Sequence, residues 1–261
     1  MEAFVKHITR AKAGWLAMVF AAVFMCGGCD TSKLVSTQQE VEVGQQAAQK
    51  VESENRVLTG TSDARRVEEA ARRVIPQADR KDVTYTVKLL DKNEVNAVAL
   101  PGGYMYIYSG LLPFLEQNKG VLSSSNYDGA KVDTNDVLAC VIAHEAAHVS
   151  ARHHAKTMGR SAVYGAAISA LNKGNVQQWA AVFANIDMLR YSRSEEYEAD
   201  RLGAVFARRA SYSPWGMVAF LEMLANNSSS RRSDLENILS THPATVDRIK
   251  RARELAKELT K

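Results

Sequence analysis

The sequence predicts an α+β fold, mostly helical, with a small antiparallel or mixed sheet beside one central helix. Three observations lead there. Residues 137–149 form an apolar run of helical length that carries His144 and His148 at positions i and i+4, one turn apart on one face. Val83, Tyr85, Val87 and Leu89 alternate with Thr84, Thr86 and Lys88, the period of a half-buried strand. Amphipathic helical patterns occupy much of the remainder. At 261 residues and 46% hydrophobic, the chain can bury a substantial core. Its net charge of +4, with no dense Lys/Arg stripe, argues against a nucleic-acid partner.

The elements follow in order. Lys6, Arg10 and Lys12 precede an apolar run, 13–25, of signal-segment length and short for a membrane span. The run ends in Cys26-Gly27-Gly28-Cys29. Three units are expected: a signal segment 1–28, a polar tether 29–39 and one domain 40–261. Residues 41–57 and 64–75 read as helices, the second stopped by Pro76. Strands are expected at 83–89, 95–100 and 104–108, with Pro101-Gly102-Gly103 as a turn. A helix starts at 111–116, and 120–133 reads as a flexible polar loop. Asp136 is the expected cap of the central helix. Residues 162–184 read as two short helices broken at Asn172-Lys173-Gly174-Asn175, packed over or near a cleft, with a membrane-surface role as the other reading. Residues 188–209 form a further helix. Ser213-Pro214 opens another at 215–224. Val246, Ile249, Ala252, Ala256 and Leu259 give a last amphipathic helix.

The chemistry concentrates in His144-Glu145-Ala146-Ala147-His148, an H-E-x-x-H pattern. Two imidazoles one turn apart can reach one Zn²⁺. Glu145 then sits beside the metal without ligating it, placed to take a proton from a metal-bound water. The bland alternative is a helix with two surface histidines. Cys140 lies one turn earlier and reads as a small core residue. His153 and His154 read as surface residues or as supports behind a ligand.

About fifty residues on stands Glu195-Glu196-Tyr197-Glu198-Ala199-Asp200. H-E-x-x-H followed by E-x-x-A-D resembles the gluzincin zinc peptidases of the HtpX, CAAX-endopeptidase and Oma type. Asn96-Ala97-Val98-Ala99-Leu100-Pro101-Gly102-Gly103 and Ser240-Thr241-His242-Pro243 resemble that family's other segments. The resemblance covers roughly residues 40–255 and is nearest to the lipoprotein members, of the LoiP type and the protease half of the BepA type. No 34-residue repeat is present, so the tetratricopeptide array of the BepA type is not expected.

The resemblance implies a zincin-like metalloprotease domain with one Zn²⁺ held by His144, His148 and Glu196. Asp200 would orient a histidine ligand from behind. Glu145 would act as general base. His242 would return to the metal as an oxyanion donor or as a resting occupant of the open position. Gly103, Tyr104, Met105 and Tyr106 would bind an extended peptide by strand addition, the glycines allowing its close approach. The cysteine pattern resembles a lipobox with Cys29 acylated; an ordinary signal peptide or an uncleaved anchor is the alternative. The implied enzyme is a zinc metalloendopeptidase acting on unfolded or misassembled envelope proteins. It would be lipid-anchored and face the periplasm of a Gram-negative bacterium. The two other readings are a chaperone-like envelope assembly factor with a latent zinc site and a structural zinc protein. A closed four-ligand site would favour the last.

Overall fold

The computed structural model describes residues 30–124, 127–168, 176–185, 190–228 and 232–261. The signal segment, Cys29 and the 172–175 break lie outside the described residues. Described residues begin folded. Asp30 caps a 3-10 turn, Thr31–Leu34, through its carboxylate, and the Thr31 hydroxyl donates to the Lys156 carbonyl at 3.0 Å. Ser36 and Gln39 then form a reciprocal capping box that opens α1 (Thr37–Glu54). Residues 31–39, expected as a tether, are therefore part of the packed domain. The polar residues that read as linker are helix caps.

The sheet is mixed. Its strands are β1 (Val57–Leu58), β2 (Thr86–Leu90), β3 (Ala97–Ala99) and β4 (Tyr104–Tyr108). They run in the order β1-β2-β4-β3, with only the β2–β4 pair parallel. Alternation on β4 splits the core in two. Met105 and Ile107 join the larger cluster with α2 (Ser62–Val74) and the central helix. Tyr106 and Tyr108 join Val43, Ala47 and Val51 of α1 on the other face.

Strand β4 is interior, bonded to β2 on one edge and β3 on the other. This corrects the expectation that Gly103, Tyr104, Met105 and Tyr106 pair with a peptide, because no backbone edge of β4 is left to offer. The two glycines serve packing instead. Both have left-handed φ, +73° at Gly102 and +99° at Gly103. A Cβ on Gly102 would stand 2.7 Å from Val41 Cα, and one on Gly103 would stand 2.6 Å from the Thr84 carbonyl oxygen. The close approach is made by α1 and the strand entry, not by a substrate.

After α3 (Leu111–Gln117), the segment expected as a loop at 120–133 begins with a short helix, α4 (Gly120–Ser124). The central helix is α5 (Thr134–Ser150). Its cap is Asp133, not Asp136. Asp133 accepts from the Asn135 and Asp136 backbones, and Asp136 accepts from the Asp133 N–H in return. Val137 to Val149 are all buried, so this stretch of α5 has no solvent-exposed face. Each fully buried Val, Leu or Ile contributes roughly 1.5–3 kcal/mol. That offsets the cost of carrying two imidazoles and a carboxylate on the same helix.

The remaining helices are α6 (His153–Ile168), α7 (Val176–Ala184), α8 (Arg193–Arg209), α9 (Trp215–Asn227), α10 (Arg232–Thr241) and α11 (Val246–Leu259). Helix α7 packs on α1, away from α5. Helix α8 packs along α5 so closely that a Cβ on Gly203 would meet the His144 backbone N at 2.9 Å. No described helix is long and apolar enough to cross a membrane.

Candidate metal centre

Three elements converge on the buried middle of α5. Helix α5 supplies His144, Glu145 and His148. The first turn of α8 supplies Glu196, and its second supplies Asp200. The turn between α10 and α11 supplies His242, with Arg248 from α11. All seven are buried. Ser192 and Glu195 close the capping box that starts α8, which sets the register that aims Glu196 at α5.

His144, His148, Glu196 and His242 each offer one ligand atom, all within 4.8 Å of one another. The two α5 rings meet at Nε2, 3.0 Å apart. Glu196 lies 3.4 Å from His148 Nε2 and 3.7 Å from His144 Nε2. Tetrahedral ligands about 2.05 Å from zinc stand about 3.3 Å apart, so these three fit one ion.

The outer nitrogens support the fit. His144 Nδ1 is 3.0 Å from Asp200 Oδ1, a close contact that is off hydrogen-bond geometry. His148 Nδ1 is 2.8 Å from His153 Nδ1. With protons on both outer nitrogens, the inner lone pairs face each other, an arrangement that a cation between them relieves.

Electrostatics divide the roles. Burial pushes the His148 pKa well below its ordinary value, and Glu196 only partly opposes that, so the ring is a neutral donor. Burial also disfavours charge on His242, but Glu196 and Glu145 outweigh it and raise its pKa. Burial alone would raise Glu196; His242 and Arg248 instead hold it well below the usual carboxylate range. Glu145 faces His242 Nε2 at 3.5 Å through Oε1, while its buried Oε2 has no hydrogen-bond partner among the described residues.

The expected site residues His144, Glu145, His148, Glu196, Asp200 and His242 are thus in one cluster. The histidines read as surface or supporting are both buried. His153 backs His148, and His154 Nε2 meets the Ala99 carbonyl at 2.9 Å and the Tyr191 hydroxyl at 2.8 Å. Cys140 is a buried thiol whose pKa burial pushes up, donating to the Ser213 carbonyl and outside the ligand cluster. Tyr191, which carried no sequence signal, stacks on His148 with ring centroids 3.7 Å apart. Arg248, to which the sequence assigns no role, pairs with both Glu196 and Asp200.

The chain is 25% identical over 247 residues to a beta-barrel assembly-enhancing protease of Escherichia coli K12, covering 89% of this chain and 47% of that one. It is 25% identical over 266 residues to the metalloprotease LoiP of the same organism, covering 94% and 96%. It is 30% identical over 160 residues to the mitochondrial metalloendopeptidase OMA1 of Saccharomyces cerevisiae, covering 59% and 41%. The chain spans less than half the length of the assembly-enhancing protease and of OMA1. The model of peptidase family M48 matches residues 61–256, which include every residue of the cluster. With that match across most of its length, the chain belongs to peptidase family M48.

Proposed function

We propose that the chain is a zinc endopeptidase that cleaves unfolded or misassembled proteins of a Gram-negative envelope. It is tethered there by an acylated Cys29 and faces the periplasm. The supports are the ligand set, the similarity to a beta-barrel assembly-enhancing protease and to the metalloprotease LoiP, and the lipobox-like cysteine. Mass spectrometry of the mature N-terminus tests the anchor; an unmodified N-terminus at another residue refutes it.

Mechanism follows from the residues. His144, His148 and Glu196 would hold Zn²⁺, which supplies a Lewis acid and an acidified water. Asp200 holds His144 from behind, and Arg248 fixes one oxygen of Glu196. Glu145 takes the proton from the attacking water and passes it to the leaving amine. Peptide pairing falls to β3, the outer strand beside α5. Asn96 and Leu100 bond toward β4, so the backbone groups of Ala97 and Ala99 point outward. Two of these are already capped, the Ala97 N–H by the Asn96 side chain and the Ala99 carbonyl by His154.

The observation that carries the reading is the unpartnered Oε2 of Glu145. A buried carboxylate oxygen without a donor costs stability, and a purely structural zinc site has no use for it. The test compares wild type with Glu145→Gln on an unfolded protein, with zinc quantified in both. Zinc retained and cleavage abolished is the expected result; retained cleavage overturns it. His242 Nδ1, 3.0 Å from Glu196 Oε1, would compete for the fourth position of a bound zinc, which favours one second reading, a chaperone-like assembly factor with a latent zinc site. Wild type that suppresses aggregation of the same substrate without cleaving it, even with His242 removed, would select that reading.

A further inference from the structure

We propose that His153 and Glu198 are positioning residues for His148, acting in series behind its ring. The inference rests on the metal reading above, and it concerns a layer of the site that the motif residues do not include. His148 presents Nε2 to the ligand cluster and Nδ1 to His153 Nδ1, at 2.8 Å. His153 Nε2 in turn lies 3.2 Å from Glu198 Oε2. A neutral imidazole has one N–H and one acceptor nitrogen. If His148 keeps Nε2 free for a metal, its proton is on Nδ1 and donates to His153 Nδ1. The His153 proton is then on Nε2 and donates to Glu198. One set of tautomers satisfies all three groups, and Glu198 at its far end decides it.

The chain is built to make this contact. His153 is fully buried, so no water replaces either of its partners. It follows a reversal at Arg152, whose φ of +56° is rare for a side-chain-bearing residue. Arg152 is held there by Glu40 at 2.9 Å and by the Val35 carbonyl at 2.6 Å. That turn ends α5 and brings His153, five residues after His148, back against the ring, with centroids 4.9 Å apart. Glu198 is two residues past Glu196, about 200° around α8, so it faces α6 rather than the metal. Lys156 on α6 contacts the same oxygen at 3.3 Å and fixes the carboxylate. The two α5 ligands are therefore held differently, His144 by Asp200 directly and His148 through an intervening histidine.

The test uses the full chain loaded with Zn²⁺ or Co²⁺ alone. Zinc affinity is read by competition with a chromophoric chelator, and ligand geometry by the cobalt absorption bands. His153→Phe keeps the volume and removes both nitrogens. It should weaken zinc roughly 10–100-fold and shift the cobalt bands. His153→Asn, whose carbonyl can accept from His148 Nδ1, should recover most of the affinity. Glu198→Ala should weaken zinc by a smaller factor, and combined with His153→Phe it should add nothing, because the two act through one ring. A merely structural role would lower the melting temperature of both His153 variants alike and leave the cobalt bands in place.

Unchanged affinity and bands in His153→Phe overturn the proposal, as do additive losses in the double variant. If His153→Phe does not fold, Glu198→Ala decides alone, since that side chain is half-exposed: unchanged zinc affinity refutes the relay. A wild type that binds no metal overturns the metal reading itself, a different outcome from any of these.

Discussion

Arg248 Nη1 stands 2.6 Å from Glu196 Oε2, while its Nε and Nη2 each donate to Asp200 at 2.8 Å. One guanidinium thus holds the proposed carboxylate ligand and the carboxylate behind His144. Glu196 keeps Oε1 turned toward His148 and His242. All three charges are buried, so removing the cation leaves Asp200 without its guanidinium and Glu196 with His242 as its remaining cationic partner. Arg248→Met should cost about 3–5 kcal/mol in urea unfolding of the metal-free chain and weaken zinc binding as well. Arg248→Lys should restore little, because an ammonium cannot span two carboxylates with fixed forks. A loss below about 1 kcal/mol would mean that the carboxylates find other partners.

The register of α8 makes a second expectation. Glu196→Ala should lose zinc, whereas Glu195→Ala should keep it. Glu195 closes the capping box with Ser192 and pairs with Arg160 at 2.8 Å. Its removal should cost about 1 kcal/mol of stability, the ordinary value of a cap. Zinc quantification and thermal melts on the two purified variants separate these effects. Zinc lost in Glu195→Ala with Glu196→Ala unaffected would move the ligand register by one residue.

Much of this was legible because H-E-x-x-H on a helix fixes geometry within five residues. The spacing of His144 and His148 alone places both Nε2 atoms on one point. The strand alternation at 83–89 and the turn at 101–103 were equally local. What failed depended on neighbours distant in sequence. The fourth sheet position of β3 follows from crossovers that periodicity does not encode, so the sequence does not show that β4 is interior. His153 stays open between a surface and a supporting role in the sequence, because its burial against His148 depends on the Arg152 reversal and on Glu198, 45 residues away. Tyr191 had no motif at all. Residues 31–39 read as a tether because capping residues and linker residues are the same amino acids.

Acid should expose the link between α1 and the C-terminal end of α5. Arg80 donates to the Val149 carbonyl at 3.2 Å and to Asp82 at 2.8 Å. Hydrogen bonds from Arg80 and Thr37 lower the Asp82 pKa to about 2. A depressed carboxylate pKa stabilises the fold above its unfolded value, 3.8, and that stability is lost as pH falls toward 2. The Asp82 side chain is half-exposed, so screening limits the gain to about 1 kcal/mol or less. Urea midpoints of wild type and Asp82→Asn should differ at pH 6, draw together below about pH 4 and converge only as pH falls through about 2. A gap that stays constant over that range would show that the difference is not the carboxylate's charge.

His242 decides whether the cluster is working or latched. Its Nδ1 lies 3.3 Å from His144 Nε2 and 3.0 Å from Glu196 Oε1, inside the ligand set, and its Nε2 points to Glu145. An oxyanion donor would stand off the metal, aimed at where a carbonyl oxygen will be. Here the ring nitrogen lies among the proposed ligand atoms, where it would compete with water and substrate, and the ring lies against Glu145, the proposed general base. The residue also sits in the turn before Pro243, outside any helix, so it can swing without breaking an element. His242→Ala should therefore retain zinc on three ligands and raise basal proteolysis of an unfolded substrate several-fold. The measurement is the initial cleavage rate per zinc-loaded molecule, wild type beside variant. A fall of about 10²–10³ in kcat with zinc intact would assign His242 to the transition state instead. An unchanged rate would leave it a buried loop histidine with no part in the reaction.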